Sequence, residues 1–255
     1  MAHLGVLQAF AESGMQIDCV TGTSSGAMVA ACVAFGLPLP RMLEKVKQLS
    51  WYKLSNFAYS TMGLIKNQAI GKLMIELLGD VMIEQAKLPL VLVAANIQSG
   101  ERVVFRKGNL AQAVMASTAV PGLFVPVQVE DNLLVDGGLV ENLPVSLLKE
   151  LGADIKIGVD VAHWRTYEPP KNVIDVMLSA TEIMTRHQTL MHAQHADVLI
   201  QPHLEHYGLG DLKKADLLIA EGYEAARQVL PKIRQLQSRP AGLSWWQKFW
   251  GRLSV

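Results

Sequence analysis

Five residues near the amino terminus, Gly22-Thr23-Ser24-Ser25-Gly26, carry the G-x-S-x-G spacing of a serine nucleophile held on a sharp strand-to-helix turn. In such a turn the Ser24 hydroxyl projects from the sheet edge. Gly22 and Gly26 remove side chains that would crowd the bend. The following helix starts with the Ser25 backbone N–H and aims its positive end at the reacting oxygen. Composition alone gives roughly 0.08 chance occurrences of this pattern in 255 residues. A plain Gly/Ser turn is the competing reading; the apolar residues on both sides favour the nucleophile.

A serine hydroxyl is a poor nucleophile until a base takes its proton. Six of the seven histidines, His163, His187, His192, His195, His203 and His206, follow the serine, as a Ser-His-Asp order requires, yet none has a distinctive local context. His192/His195 and His203/His206 have a spacing that could hold a metal, but no Cys or carboxylate pattern supports one, so no metal site is expected. Asp136 is the sharper candidate. It ends the apolar run Leu133-Leu134-Val135, which would raise its basicity, and Gly137 and Gly138 leave its carboxylate uncrowded. Taken alone it reads as an Asp-Gly turn; beside a serine elbow it reads as a general base.

These residues need a scaffold, and the punctuation of the chain supplies one. Helical periodicity covers Ala2 to Ser13, a short strand covers Ile17 to Val20, and a buried helix runs from Ala27 to Phe35. Helical pieces near Arg41 to Gln48 and Gln68 to Leu78 flank a cluster of Trp51, Tyr52, Phe57 and Tyr59, where a lid is expected. Leu90 to Asn96 and Arg102 to Arg106 read as a hairpin, followed by a helix over Leu110 to Thr118 and strands near Val125 to Val129 and Leu133 to Val135. Pro144 and Gly152 bracket a helix. A strand at Ile155 to Val161, a helix at Val173 to Gln194, a strand at Val198 to Ile200 and a helix at Leu212 to Leu236 complete the chain. This alternation predicts an α/β fold of three layers, α/β/α, with a central, mostly parallel sheet.

Composition narrows the chemistry. Lys+Arg and Asp+Glu both number 23, so no positive field exists to hold nucleic acid. Half the residues are hydrophobic and mean hydropathy is +0.23, which excludes extensive disorder. The longest charge-free runs are broken by Gly, Pro, Ser and Thr, and neither a membrane span nor a secretory signal is expected. Cys19 and Cys32 lie in apolar surroundings and suit free thiols in a reducing compartment, so cytoplasm is the expected location.

Gly22-Thr23-Ser24-Ser25-Gly26, the segment Ala116-Ser117-Thr118-Ala119-Val120-Pro121-Gly122-Leu123-Phe124, and Asp136-Gly137-Gly138 stand in an order that resembles the patatin-like phospholipase family, specifically bacterial members similar to the patatin-like domain of neuropathy target esterases. The resemblance covers roughly Met1 to Asp160. It implies a Ser-Asp dyad without histidine: Ser24 becomes acylated, and Asp136 activates first Ser24 and then the deacylating water. The implied reaction is hydrolysis of carboxylic esters of phospholipids or lysophospholipids, without a cofactor. The resemblance also implies a first strand and a Gly-rich oxyanion loop upstream of Ala2-His3-Leu4-Gly5-Val6-Leu7, whereas this sequence opens at Met1. Met1 is therefore expected to be an internal methionine of a longer protein. The Ser25 N–H is expected to remain as oxyanion donor, and loss of such a donor typically lowers turnover by about 10² to 10³.

The expected organisation is a patatin-like phospholipase domain over residues 1–200 lacking that strand and loop, a helical extension over 201–238, and a basic aromatic tail over 239–255. Six basic residues and no acidic ones follow Glu224, and Trp245, Trp246, Phe249 and Trp250 would share one face of a short helix. That face suits peripheral contact with an anionic bilayer, at the inner membrane face, or docking on a protein surface. Two rivals to the dyad enzyme remain: a catalytically impaired regulator or scaffold that keeps the elbow as architecture, and a Ser-His-Asp triad using His163 or His203.

Overall fold

The computed structural model of the chain describes residues 1–47, 56–57, 63, 65–162, 169–207 and 214–238. Its elements, in order, are α1 (Ala2–Glu12), β1 (Val20–Thr23), α2 (Ser25–Ala34), α3 (Leu39–Lys47), β2 (Asn56–Phe57), β3 (Ile65–Lys66), α4 (Gln68–Leu78), β4 (Leu90–Asn96), β5 (Arg102–Phe105), α5 (Leu110–Ser117), β6 (Val127–Val129), β7 (Asn132–Asp136), α6 (Gly138–Glu141), α7 (Ser146–Glu150), β8 (Ile157–Val159), α8 (Val173–Ala193), β9 (Val198–Ile200) and α9 (Ala215–Gln237). Trp51, Tyr52 and Tyr59 of the expected lid, His163, and the whole basic aromatic tail lie outside the described residues.

Every residue of β4 is buried, because helices cover both faces of the sheet it centres. Side chains alternate across a strand. Leu90, Leu92 and Ala94 join Ala31 of α2, Met74 of α4 and Val114 of α5 in the larger core. Val91 and Val93 point the other way, to Leu147 of α7 with Val140 and Leu151 beside it. The expected three-layer α/β/α architecture is thus present.

The sheet at its centre is mixed. Within its five strands only β1/β4 is parallel, while β4/β5, β4/β7 and β6/β7 are antiparallel, so it is less parallel than the strand-helix alternation suggested; β8 and β9 pair parallel in a separate two-stranded sheet. The elbow strand also begins later than its apolar run suggested, at Val20 rather than Ile17, because pairing with β4 starts where the Val20 N–H donates to the Pro89 carbonyl. Backbone register then fixes the key geometry. The Pro89 carbonyl faces β1 and the Ile97 N–H, an even number of residues away, donates to the Leu133 carbonyl of β7's segment, whereas the Asn96 N–H turns to Glu101 on the hairpin side. β1 and β7 therefore share one edge of β4, running toward each other. β1 ends with Thr23 opposite Val93, and β7 ends with Asp136 opposite Ala94.

A second core joins α1 and α9 to β9, through Val6, Phe10, Ala226, Ile233, Val198 and Ile200. The two helices touch at backbone distance. A Cβ on Gly5 would stand 1.8 Å from the Ile219 carbonyl oxygen, and one on Gly222 would stand 1.9 Å from that of Ala2. Replacing Gly5 with alanine should therefore lower stability by about 3 kcal/mol, despite the helix propensity gained, because two backbones must separate. Gly71→Ala, whose new methyl meets the flexible Met115 thioether, should cost about 1 kcal/mol. Urea denaturation midpoints of the two variants provide the comparison.

Candidate active site

The meeting of two strand ends is what builds the site. Ser24 follows the last residue of β1 and starts α2 with φ 54° and ψ −127°; among the described residues only Glu130 shares a positive φ without being glycine. Such backbone is strained for a residue with a Cβ and persists only where its surroundings hold it. Ser117, fully buried at the end of α5, holds it: its hydroxyl accepts from the Ser24 N–H at 2.9 Å and donates to the Val93 carbonyl at 2.6 Å. Thr23 ties the same turn to the opposite layer by donating to the Glu141 carbonyl at 2.8 Å.

The turn carries Ser24 Oγ to 2.5 Å from Asp136 Oδ2, so the hydroxyl donates directly to the carboxylate. The other carboxylate oxygen accepts from the Gly138 N–H at 2.8 Å, and the Asp136 N–H donates to the Ala119 carbonyl at 2.9 Å. Asp136 is buried, and that burial pushes its carboxyl up to about 6 against the smaller opposing effects of the Ser24 and Gly138 hydrogen bonds. A carboxylate so placed is ionised at neutral pH and more basic than a solvated one.

The motif glycines do different things. A Cβ on Gly22 would lie 2.5 Å from the Gly26 carbonyl oxygen, and one on Gly137 would lie 2.3 Å from that of Val93 and 2.9 Å from Thr23 Cγ2. Neither position admits a side chain. At Gly138 a Cβ would meet Asp136 Oδ1 at 3.1 Å, so the glycine keeps the carboxylate uncrowded. Gly26 differs from the steric role expected for it. Its Cβ would meet only His3 Nε2, at an ordinary 3.8 Å.

Ser24 and Asp136 border a cavity of about 1210 Å³ lying between the β1 edge (Cys19, Val20, Thr21) and the β8 edge (Ile157, Gly158, Val159). It exceeds the ~300–1,000 Å³ of small-molecule pockets. Leu7 and Phe10 of α1 and Val33 of α2 contribute apolar wall, and the inner face of α8 contributes Thr181, Glu182 and Thr185.

The described histidines among those singled out from the sequence stand elsewhere. His187 and His195 are exposed, His192 Nδ1 contacts the Gln188 carbonyl on its own helix, and the His203 ring is exposed beside Glu205. Among the described residues the cavity is lined by a different histidine, His3, which precedes the elbow and was missed for that reason. Its Nδ1 is shielded from solvent without a hydrogen-bond partner, and burial pushes its pKa well below the usual histidine value, so it is neutral. Ser117 was also missed as a positioning residue; it stands in the quoted motif, but nothing in its sequence context marked it as the clamp on Ser24. Among the described residues no group of three or more His, Cys, Asp or Glu could hold a metal, and no helix is long and apolar enough to cross a membrane.

The family model of patatin-like phospholipases matches residues 1–149, which hold both strand ends and both motifs. The chain belongs to the patatin-like phospholipase family. It is 33% identical over 162 residues to an uncharacterized NTE family protein of Mycobacterium tuberculosis, covering 63% of this chain and 45% of that protein. A second NTE family protein of that organism is 26% identical over 259 residues, with 90% and 44% covered. Lysophospholipase nte1 of Aspergillus fumigatus is 24% identical over 272 residues, covering 94% of this chain and 18% of its own length. The chain thus spans less than half the length of these relatives. Among solved structures, VipD from Legionella pneumophila shares the fold, with a TM-score of 0.51 at 16% identity over 91% of this chain and 64% of that one.

The glycine geometry gives a direct check on the patatin-like elbow. Gly22→Ala should cost about 3 kcal/mol or prevent folding, because backbone atoms must move. Gly26→Ala, within the first turn of α2, should leave the thermal midpoint within a few degrees of the parent. Parallel thermal melts followed by circular dichroism measure both.

Proposed function

We propose that this chain carries the active site of a serine lipid acyl hydrolase that cleaves carboxylic ester bonds of phospholipids or lysophospholipids through a Ser24–Asp136 dyad, without a cofactor. The observation that carries the reading is the direct 2.5 Å hydrogen bond from Ser24 Oγ to Asp136 Oδ2, on a strained elbow that opens into a cavity.

In the proposed reaction Asp136 takes the Ser24 hydroxyl proton as Oγ attacks the ester carbonyl. The carbonyl oxygen gains negative charge, which the Ser25 N–H at the N-terminal end of α2 would stabilise. The tetrahedral centre collapses with cleavage of the ester C–O bond. The proton held by Asp136 passes to the departing alcohol, leaving Ser24 acylated. A water then gives its proton to Asp136 and attacks the acyl carbon; Ser24 Oγ leaves with that proton, the fatty acid departs, and the dyad is restored. Membership in a phospholipase family and the likeness to a fungal lysophospholipase support the substrate class.

Ser24→Ala should abolish stoichiometric labelling by a fluorophosphonate, and Asp136→Asn should lower ester turnover by about 10² to 10⁴ while leaving the fold intact. His203→Ala should leave turnover unchanged. A parent protein that resists labelling would instead support the regulator or scaffold reading, and an active Asp136→Asn variant would support a triad.

A pH profile supplies a separate check. The base must be ionised, so kcat/KM on a soluble ester should rise with pH through an apparent pKa of about 6. A profile already flat from pH 5 upward would contradict Asp136 as the base.

A further inference from the structure

The helix α8 is inverted in polarity. Residues Val173, Val176, Met177, Ala180, Ile183, Met184, His187, Leu190 and Met191 are its exposed positions, and all but one are apolar. The seven large apolar residues among them are 44% to 75% exposed. No Asp, Glu, Lys or Arg interrupts this outer face over a helix of 21 residues, about 31 Å long. The polar residues lie inward: Asn142 donates to the buried Thr189 hydroxyl at 2.8 Å, and Thr185 reaches the dyad's Gly138. An ordinary surface helix turns its apolar stripe toward the core.

Seven large apolar side chains exposed on one helix face make a broader apolar patch than a monomer ordinarily leaves in water. Three features choose the occupant. Apolar rows at 176/183/190 and 177/184/191 with 173/180 make a face wider than the narrow seam of a helix pair. One of those rows is methionine throughout, a flexible side chain that fixes no register. The same helix lines the Ser24 cavity with its inner face, and Met177 reaches round to pack on Gly122, 3.3 Å from where a Cβ would stand. The apolar face therefore adjoins the site where a lipid must enter.

We propose that the outer face of α8 docks on a lipid surface, with its apolar side chains entering the boundary between headgroups and acyl chains and the cavity mouth held against the bilayer. The idea deepens the hydrolase reading and rests on it for the origin of the substrate, but its physical content is a binding face.

The test is co-sedimentation of the full chain with vesicles of phosphatidylcholine and phosphatidylglycerol in equal parts. The double variant Ile183→Glu/Met184→Glu should weaken partition by about tenfold or more and lower, by a similar factor, the ratio of turnover on vesicle lipid to turnover on a soluble short-chain ester. Leu217→Glu, at an exposed leucine of α9, should change neither, and circular dichroism confirms folding of each variant. Partition unchanged in the double variant overturns the proposal and assigns any binding to another part of the chain. A parent dimer in analytical ultracentrifugation that the double variant dissociates also overturns it, in favour of a second copy on this face. Parent protein that binds vesicles through α8 but turns over no soluble ester would sink the hydrolase reading and leave the docking face standing.

Discussion

One edge of β4 serves two strands that run head-on into each other, and the hydrogen bond between Ser24 and Asp136 exists because they do. A strand ending at Thr23 delivers a hydroxyl on a strained turn, and the opposing strand delivers a carboxylate from the other direction. Neither side chain needs an intermediary to reach the other. The surrounding contacts follow from keeping the two tips together: Ser117 holds the Ser24 amide, the Ala119 carbonyl and the Gly138 amide hold Asp136, and Gly137 leaves space where the β4 backbone passes.

Burial gives the carboxylate its basicity and also makes it costly. A group whose native pKa is raised, here to about 6 from 3.8, contributes stability below the unfolded value that is lost as pH rises through the folded one. At neutral pH the ionised Asp136 therefore works against folding, and the dense packing around β4 offsets it. Behind the elbow lies a second buried carboxylate, Glu141, paired with Arg102 and accepting a 2.6 Å hydrogen bond from Ser146. Its own carbonyl anchors Thr23, so this ion pair braces the elbow from the far side.

Much of this was legible from residue order, and the exceptions are instructive. The Gly-x-Ser-x-Gly spacing and the Asp-Gly-Gly end of an apolar run marked both members of the hydrogen-bonded pair, because turn chemistry is local. Helix limits such as 173–194 against the observed Val173–Ala193 agreed to about a residue, because periodicity and caps are local too. Strand direction was not legible: Leu90 to Asn96 reads the same beside parallel or antiparallel neighbours, so the head-on geometry was hidden. His3 was overlooked because its importance comes from a cavity assembled by distant segments. For α8 the period announced a helix but not its facing. An apolar stripe normally means inward, and here the Asn142–Thr189 hydrogen bond and the Thr185 hydroxyl beside Gly138 decide otherwise.

The two tips also impose a timetable on the molecule. Ser24 leaves the ribosome 112 residues ahead of Asp136. If the proposed dyad is the catalyst, a growing or clipped polypeptide that has not yet closed the β4 edge carries an alcohol with no base to activate it. Under the proposed dyad, the chemistry switches on only with completed folding, so unfinished copies of an enzyme aimed at membranes would be harmless to them.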